Sequence, residues 1–211
     1  MKLSPQEVQR RYQDGDLKIA LLGMSNIGKS YFAQRLSDDF GFQSVEVDRL
    51  IQSKLGQGSM DDHAKWLGQP YSEGYAAREA KAMQLEGNAT RDATTRCQQV
   101  GNAVLDAPGS VNYIEPNILD NLSSDFWLIY IEASPDDLER LKQLYVSSPK
   151  PLIWKDSYNS KLGKTNESSV LASYPYLLEK RASIYQSLAD ITLPAGPLYD
   201  GEIDIKKALS L

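Results

Sequence analysis

The sequence predicts an α/β fold of three layers, with a mainly parallel five-stranded sheet and helices on both of its faces. An apolar strand leads directly into a glycine-rich loop and a helix within residues 17–36. A second strand, expected at 42–47, follows that helix, and this spacing of strand, helix and strand implies a parallel pair. The continuous apolar run at 126–131 is the form expected of a strand covered on both faces.

The first third of the chain is expected to alternate helix and strand. Ser4-Pro5-Gln6-Glu7 is a capping box with proline at the first helical position, so a short helix should run to about Tyr12. The helix after the glycine-rich loop should stop near Phe40-Gly41. The second strand ends at Asp48, which opens a further helix over 48–55.

The middle of the chain is expected to be helical. Between 59 and 99 the pattern predicts a helix, a break at 68–71 and a longer helix, without a strand. A connection of roughly 40 residues fits a helical insert, placed at about 49–99, better than a plain crossover. The next strand is expected at 102–106.

The last part of the chain completes the predicted sheet. Ser134-Pro135-Asp136-Asp137 is expected to cap and start a helix. The remaining elements are expected as helices at 115–122, 176–188 and 203–209 and as strands at 126–131 and 191–193. The chain of 211 residues is expected to form a single domain, 1–211.

The composition narrows the classes of partner. A formal net charge of -5 argues against a nucleic-acid-binding surface, which needs clustered lysine and arginine. No apolar run approaches the roughly 20 residues that a membrane helix needs, and the first residues do not open a signal peptide. We therefore expect a cytoplasmic protein with no membrane or nucleic-acid partner, as a monomer or a weak homo-oligomer.

Single copies of two reactive residue types exclude several kinds of site. Cys97 is the one cysteine, so an intrachain disulfide and a cysteine-based metal cluster are excluded, and a buried apolar role is expected for it. His63 is the one histidine, so histidine triads and multi-histidine zinc sites are nearly excluded. A role for His63 as a lone general base stays open.

Residues 23–30 carry the pattern G-x-x-x-x-G-K-S/T between a strand and a helix. Gly23 and Gly28 let the backbone curl so that consecutive N–H groups point at phosphate oxygens. Lys29 can reach the β and γ phosphates, Ser30 can offer its hydroxyl to Mg²⁺, and the helix N-terminus adds its positive end. The residues expected to bind a nucleotide are Gly23, Met24, Ser25, Asn26, Ile27, Gly28, Lys29, Ser30 and Tyr31.

Two carboxylates are candidates at the carboxyl ends of strands, where ligands of parallel sheets bind. Asp48 could hold Mg²⁺ or orient an acceptor hydroxyl, and it could also be a simple N-cap, since the two roles are compatible. Asp106 closes the run Ala103-Val104-Leu105-Asp106, which resembles the apolar strand plus aspartate that supports Mg²⁺ beside a phosphate loop. Metal ligation is therefore expected from Ser30, Asp48 and Asp106.

Residues 147–169 are expected to form a lid. The stretch is polar, contains two prolines and one glycine, and carries Lys150, Lys155, Lys161 and Lys164. A loop of this length in a compact domain is usually a lid or disordered. A basic lid over nucleotide phosphates has an electrostatic use, and a solvated loop is the alternative.

With these elements in order, the chain resembles the shikimate kinase family, within the small-molecule kinases that share the P-loop kinase fold. The similarity extends over about 18–193. Most telling is Arg181-Ala182-Ser183-Ile184-Tyr185 followed by Ala189-Asp190-Ile191-Thr192, which looks like the family's R-x-P-L-Y helix and A-D-I-x-V strand. It is also carried by 23–30, Val45-Glu46-Val47-Asp48, Gly109-Ser110-Val111 and 127–135.

The resemblance implies ATP and Mg²⁺ as cosubstrate, and transfer of the γ-phosphoryl group to a hydroxyl of a small carboxylated ring. Lys29 and Asp48 would be the catalytic residues, with Asp48 contacting the acceptor hydroxyl and serving as its base. Arg181 would pair with the acceptor carboxylate, which its planar fork suits. Gly109 would also contact the acceptor, and Lys150 stands in the lid where the family has arginine.

Three features depart from the family pattern, and one of them is the stretch from about Gly68 to Tyr75, which looks longer than the family norm and implies a reshaped pocket. The family's triple glycine appears as Ala107-Pro108-Gly109, which removes one N–H donor at the proline. The arginine of the family's F-R-x-x-E motif can be placed at Arg78 by charge, or at Met83 if Leu85-Glu86 sets the register. Only the placement at Arg78 keeps an arginine in the acceptor site. The sequence therefore predicts a kinase more firmly than it predicts shikimate as the substrate.

Two other functions remain open. One is a nucleotide-binding switch or ATPase module without a small-molecule acceptor, although the chain has no guanine-reading N-K-x-D run. The other is a kinase of a nucleotide or a gluconate-type acceptor.

Overall fold

A computed structural model describes residues 3–54, 59–148 and 151–211 of the chain. Its centre is a five-stranded sheet made of β1 (Lys18–Leu22), β2 (Gln43–Glu46), β3 (Ala103–Asp106), β4 (Trp127–Glu132) and β5 (Ile191–Pro194). The spatial order of the strands is β2-β3-β1-β4-β5, and each of these neighbouring pairs is parallel. The predicted α/β fold is therefore confirmed.

Helices connect and cover these strands. All four residues of β3 are buried, as are the last four of β1. Because successive strand residues point to opposite faces, burial of this kind requires a cover on both faces. The helices are α1 (Pro5–Gln13), α2 (Lys29–Phe40), α3 (Val47–Lys54), α4 (Met60–Leu67), α5 (Tyr75–Gln98), α6 (Pro116–Asp125), α7 (Pro135–Ser147), α8 (Asn166–Leu188), α9 (Ala195–Tyr199) and α10 (Ile205–Leu209), with a 3₁₀ turn at Val111–Tyr113.

The predicted start of the helix at 176 is wrong, because α8 begins at Asn166 and contains Pro175. Proline usually disrupts a helix interior, but α8 continues through Pro175. Thr165 caps the true start by accepting a hydrogen bond from the Ser168 N–H. Burial of Val170 and other residues on both sides of the proline holds the helix together through the break.

The early part of the predicted lid is packed. Leu152, Ile153 and Trp154 are all buried, so this stretch is not the solvated loop that stood as the alternative to a lid. Lys150 lies outside the described residues. The closing motion of a lid therefore stays a prediction, while the segment 151–155 has a defined position in the fold.

Candidate active site

The loop between β1 and α2 needs both of its glycines. Gly23 and Gly28 have φ angles of 149° and 113°, a region that residues with a side chain rarely adopt. A Cβ at Gly28 would lie 2.5 Å from the ring of Tyr199, and one at Gly23 would lie 3.0 Å from the carbonyl oxygen of Ile131. Asn26 also has a positive φ, 65°, which asparagine tolerates better than most residues.

Lys29 begins α2 with its side chain held at the loop. The residue is only 6% exposed. Its Nζ donates hydrogen bonds to the carbonyl oxygens of Gly23 at 3.2 Å and Met24 at 3.0 Å. The ammonium group is thus positioned over the same backbone whose N–H groups are expected to bind phosphate.

The next residue meets the end of β3. The Ser30 hydroxyl donates a hydrogen bond to Oδ2 of Asp106 at 2.5 Å. Hydroxyl and carboxylate oxygens are ligands that Mg²⁺ prefers, and phosphates and water complete the shell of such a site. The described part of the chain holds no group of three or more His, Cys, Asp or Glu residues that could bind a metal by itself. The Ser30–Asp106 pair nevertheless fits Mg²⁺ bound together with a nucleotide.

A cavity of about 370 Å³ brings most of the predicted residues together. Asp48 belongs to it, although α3 begins one residue earlier than predicted, so Asp48 lies inside the first turn instead of capping it. Met24 and Ile27 have buried side chains and can serve the site only through their backbone. The cavity is lined by Ser25, Asn26, Gly28, Lys29, Ser30, Tyr31, Asp48, Asp106, Leu144, Ser148 and Tyr199.

Arg78 does not reach this cavity. Its Nε donates to the carbonyl oxygen of Leu67 at 2.9 Å, and its Nη1 donates to that of Glu73, also at 2.9 Å. These bonds join the end of α4 to the turn before α5. The guanidinium therefore stabilises the connection between α4 and α5 and does not line the cavity beside the phosphate loop.

Arg181 lies deep in the protein, at 2% exposure. Its Nη2 donates to the carbonyl oxygen of Ile153 at 2.8 Å, and its guanidinium carbon lies 5.4 Å from the ring centroid of Tyr113. Its Nε is buried and has no hydrogen-bond partner among the described residues.

Glu86 on α5 is a buried carboxyl that motif reading did not assign to the site. Its Oε2 accepts a hydrogen bond from the Ser110 hydroxyl at 2.6 Å. The pKa of Glu86 is raised to about 7, chiefly by burial and also by the nearby charge of Asp48, against the opposing effects of the Ser110 hydrogen bond and of Arg181. Glu86 thus lies close enough to the two predicted acceptor residues, Asp48 and Arg181, for their charges to act on its carboxyl group. The Leu85-Glu86 register of the F-R-x-x-E motif was the only sequence signal for it.

Gly109 lies against the phosphate loop. A Cβ on it would be 2.6 Å from Oγ of Ser25. Its carbonyl oxygen accepts a short hydrogen bond from the Tyr185 hydroxyl. The turn after β3 is therefore fixed between the phosphate loop and α8.

Cys97 and His63 lie outside this arrangement. Cys97 is fully buried, and burial raises the pKa of its thiol to about 12, as expected for an unreactive core residue. His63 is buried beside Trp66, and burial lowers its pKa, so the imidazole is neutral at pH 7.

Comparison with known proteins decides the family. No family model matches the chain. A curated shikimate kinase of Dehalococcoides mccartyi is 30% identical over 176 residues, which are 83% of this chain and 82% of that protein. The chain belongs to the shikimate kinase family. A shikimate kinase from another strain of the species is 26% identical over 175 residues, with the same coverage of 83% and 82%.

Solved shikimate kinases share the fold. The enzyme from Bacteroides thetaiotaomicron superposes with a TM-score of 0.62 at 16% identity, covering 92% of this chain and 99% of that one. The enzyme from Acinetobacter baumannii, solved in complex with shikimate, also gives 0.62 and 16%, covering 94% and 97%. As a member of the shikimate kinase family, the chain is a small-molecule P-loop kinase. None of its described helices is long and apolar enough to cross a membrane.

Proposed function

We propose that the protein transfers the γ-phosphoryl group of ATP to a hydroxyl of a small metabolite, with Mg²⁺. The observation that carries the proposal is the convergence of Lys29, the Ser30–Asp106 pair and Asp48 on one cavity. Phosphoryl transfer depends mainly on positioning and on stabilisation of charge, and these are the groups that provide both.

Each group has a definite task in that reaction. The loop N–H groups and Lys29 bind the β and γ phosphates, while Ser30 and Asp106 hold the magnesium ion. When bound, Mg²⁺ neutralises charge that develops between these phosphates. Asp48 orients the acceptor hydroxyl and takes its proton. The acceptor oxygen forms a bond to the γ phosphorus, the bond from that phosphorus to the bridging oxygen breaks, and ADP leaves with the electron pair.

Fewer residues are proposed to bind the acceptor than the sequence predicted. Arg78 is engaged with the carbonyl groups of Leu67 and Glu73. Pairing of Arg181 with an acceptor carboxylate stays a prediction, because its Nη2 is engaged by Ile153 while its Nε has no partner among the described residues. Gly109 is proposed to shape the acceptor side through its contact with Ser25, and Lys150 to act on the nucleotide phosphates.

The test is ADP release measured across a panel of hydroxylated acceptors, including shikimate, gluconate and deoxyadenosine. We expect at least one acceptor to raise ADP release well above the rate with ATP alone. Lys29→Ala should abolish that gain, whereas Lys206→Ala, on the exposed face of α10, should leave it intact. Magnesium-dependent ATP binding without any acceptor-stimulated turnover would instead support the ATPase or switch alternative.

A further inference from the structure

Two stacked tyrosine rings lie in the wall of the cavity beside the phosphate loop. Tyr31, in the first turn of α2, and Tyr199, the last residue of α9, have ring centroids 5.0 Å apart, and their planes differ by 13°. Both residues line the cavity. They are 41% and 44% exposed, so protein covers only part of each ring. The pair therefore leaves aromatic surface free for a further ring.

The Tyr199 ring also lies directly on the phosphate loop. A Cβ at Gly28 would be 2.5 Å from its hydroxyl oxygen and 2.5 Å from Cε2 of the same ring. Gly28 immediately precedes Lys29, whose Nζ donates to the carbonyl oxygens of Gly23 and Met24. The stacked pair thus adjoins the proposed phosphate site, so a single molecule can contact both.

The fold fixes Tyr199 at this place from the far end of the chain. β5 pairs with β4 and β4 with β1, each time in parallel, so the carboxyl end of β5 lies at the same sheet edge as the phosphate loop. α9 follows β5 directly and is anchored by the buried side chains of Ala195 and Leu198. The Asp200 N–H donates to the carbonyl oxygen of Gly196 at 3.0 Å and closes the last turn. The ring therefore has a defined position without a ligand.

Sequence patterns alone do not indicate this pair. Tyr31 is predicted to bind the nucleotide only as part of the stretch 23–31, with no task for its ring. Tyr199 lies beyond 18–193, the part of the chain in which the family patterns were found. The position of α9 at the end of β5 brings the two rings together.

Stacked aromatic rings suit the flat face of a nucleobase. Every base has a π-face, and stacking that face on a tyrosine removes apolar surface of both rings from water. Leu144 of α7 lines the same cavity and adds apolar surface to it. A phosphate group gains nothing from such a surface, because the face of an aromatic ring is itself negative. The tyrosines therefore fit the base end of a nucleotide.

We propose that Tyr31 and Tyr199 form the platform on which the base of the nucleotide stacks while its phosphates bind the loop of residues 23–30. The inference rests on the proposed function, because it names the part of that site which holds the base of the phosphoryl donor. The two tyrosines are binding residues and take no part in the transfer step. They supply affinity for the nucleotide that the phosphate loop alone does not provide.

The experiment compares two probes that differ only in the base. ATP and ribose 5-triphosphate, which has the sugar and the phosphates but no base, are titrated calorimetrically in the presence of Mg²⁺. We expect the wild type to bind ATP about tenfold or more tightly than ribose 5-triphosphate. Equal affinities would overturn the inference and leave the kinase function standing. Failure of both probes to bind would instead contradict the proposed function.

Variants test whether the tyrosines cause this preference. Tyr199→Ala and Tyr31→Ala should each lower the preference for ATP about fivefold or more and leave the Kd of ribose 5-triphosphate within about twofold, which also shows that the variant is folded. Tyr199→Phe keeps the ring and should lose clearly less of the preference. Tyr176→Ala, at an exposed tyrosine of α8, is the matched control and should change neither affinity. An unchanged preference in either of the first two variants, or an equal loss of affinity for both probes, would contradict the platform.

Fluorescence detects the stacking itself. Tyr199→Trp places an indole ring in the platform, and a base stacked on an indole quenches its emission. We expect ATP to quench the emission of this variant more than that of the wild type, and ribose 5-triphosphate to cause no such extra quenching. Equal quenching by the two probes would mean that the base binds elsewhere and would overturn the inference.

Discussion

At the scale of single residues, Glu86 shows how burial changes the chemistry of a carboxyl group. Isolated glutamate loses its proton near pH 4.5, but burial and Asp48 hold the pKa of Glu86 at about 7. The folded protein therefore binds a proton more tightly at this position than the unfolded chain does. The free energy of unfolding from this group falls as the pH rises from about 4.5 to about 7.

This sign gives a prediction for Glu86→Gln. Glutamine keeps an oxygen that can accept the Ser110 hydrogen bond but cannot ionise, so the variant should gain stability relative to the wild type as the pH is raised. We expect the difference to shift by about 2 kcal/mol between pH 5 and pH 8, measured by urea unfolding. Glu202→Gln, at an exposed site, is the control. A difference that is constant with pH would contradict the role given to burial.

Gly28 illustrates two constraints acting on one residue. Its φ of 113° disfavours any side chain, and Tyr199 fills the space where a Cβ would lie. Gly28→Ala should lose most magnesium-dependent ATP affinity in a calorimetric titration. Adding Tyr199→Ala removes the collision but not the backbone strain, so we expect the double variant to recover only part of the affinity. Full recovery would show that contact with Tyr199 alone requires glycine here.

At the scale of elements, the link between α5 and the segment 151–155 is the feature that local patterns did not indicate. Glu79 and Tyr75 lie on one face of α5, four residues apart, and together reach a stretch about 75 residues further along the chain. The polar composition of 147–169 predicted a lid, with a solvated loop as the alternative, and gave no sign of a buried segment within it. Its backbone is instead satisfied by buried side chains, as buried N–H groups require.

Removal of the hydrogen bonds between Glu79 and the segment 151–155 should therefore destabilise the fold. Glu79→Ala leaves the N–H groups of Trp154 and Lys155 without their acceptor, and we expect a loss of about 2–4 kcal/mol of unfolding free energy. Glu79→Gln keeps an acceptor oxygen and should lose clearly less. Glu179→Ala, on the exposed side of α8, controls for the change in composition. Equal losses of unfolding free energy in Glu79→Ala and Glu179→Ala would contradict a stabilising role for the Glu79 hydrogen bonds.

The start of α8 shows the same limit of local sequence patterns, whereas its end at Leu188 was predicted correctly. Pro175 argues against a helix by its missing N–H, yet the capped start at Thr165 and the buried face on either side of the proline outweigh that local penalty. Helix termini with clear capping signals, such as those of α1 and α7, were predicted correctly to within a residue or two. The positions of the other helix termini depend on tertiary packing.

At the scale of the whole molecule, the order of strands assembles the site. β3 lies between β1 and β2, with Leu21 and Glu46 both opposite Asp106. Since the carboxyl ends of parallel strands share one edge, the phosphate loop, Asp106 and the start of α3 must meet there. Residues of the phosphate loop, from Ser25 to Ser30, therefore line one cavity together with Asp48 and Asp106, from which they are far apart in sequence; Ile27 is the one residue of that range outside the lining.

Binding at this shared edge should stabilise the fold as a unit. With ATP and Mg²⁺ at about 100 times the dissociation constant, the gain is about 2.7 kcal/mol, or roughly 5–10 °C in Tm for a domain of this size. EDTA should remove most of the gain, because the phosphates then lose the ion that Ser30 and Asp106 are proposed to hold. Asp106→Asn should show a smaller shift than the wild type, while Asp200→Asn, an exposed aspartate, should match it in thermal unfolding. A shift in Tm insensitive to EDTA would argue against the metal site.

The sequence by itself determined the α/β class, the phosphate loop and the family, because these depend on short patterns whose physical demands are local: glycines at a tight turn, a lysine and serine at a helix start, and apolar runs long enough for strands. Tertiary structure alone decided where the charged side chains near the site lie and which groups they contact. Arg78 bonds to the connection between α4 and α5. Glu86 is buried near the predicted site residues Asp48 and Arg181. Glu79 bonds to the segment 151–155, about 75 residues further along the chain. Burial and partner choice arise from contacts between residues far apart in the chain, and local spacing carries no information about them.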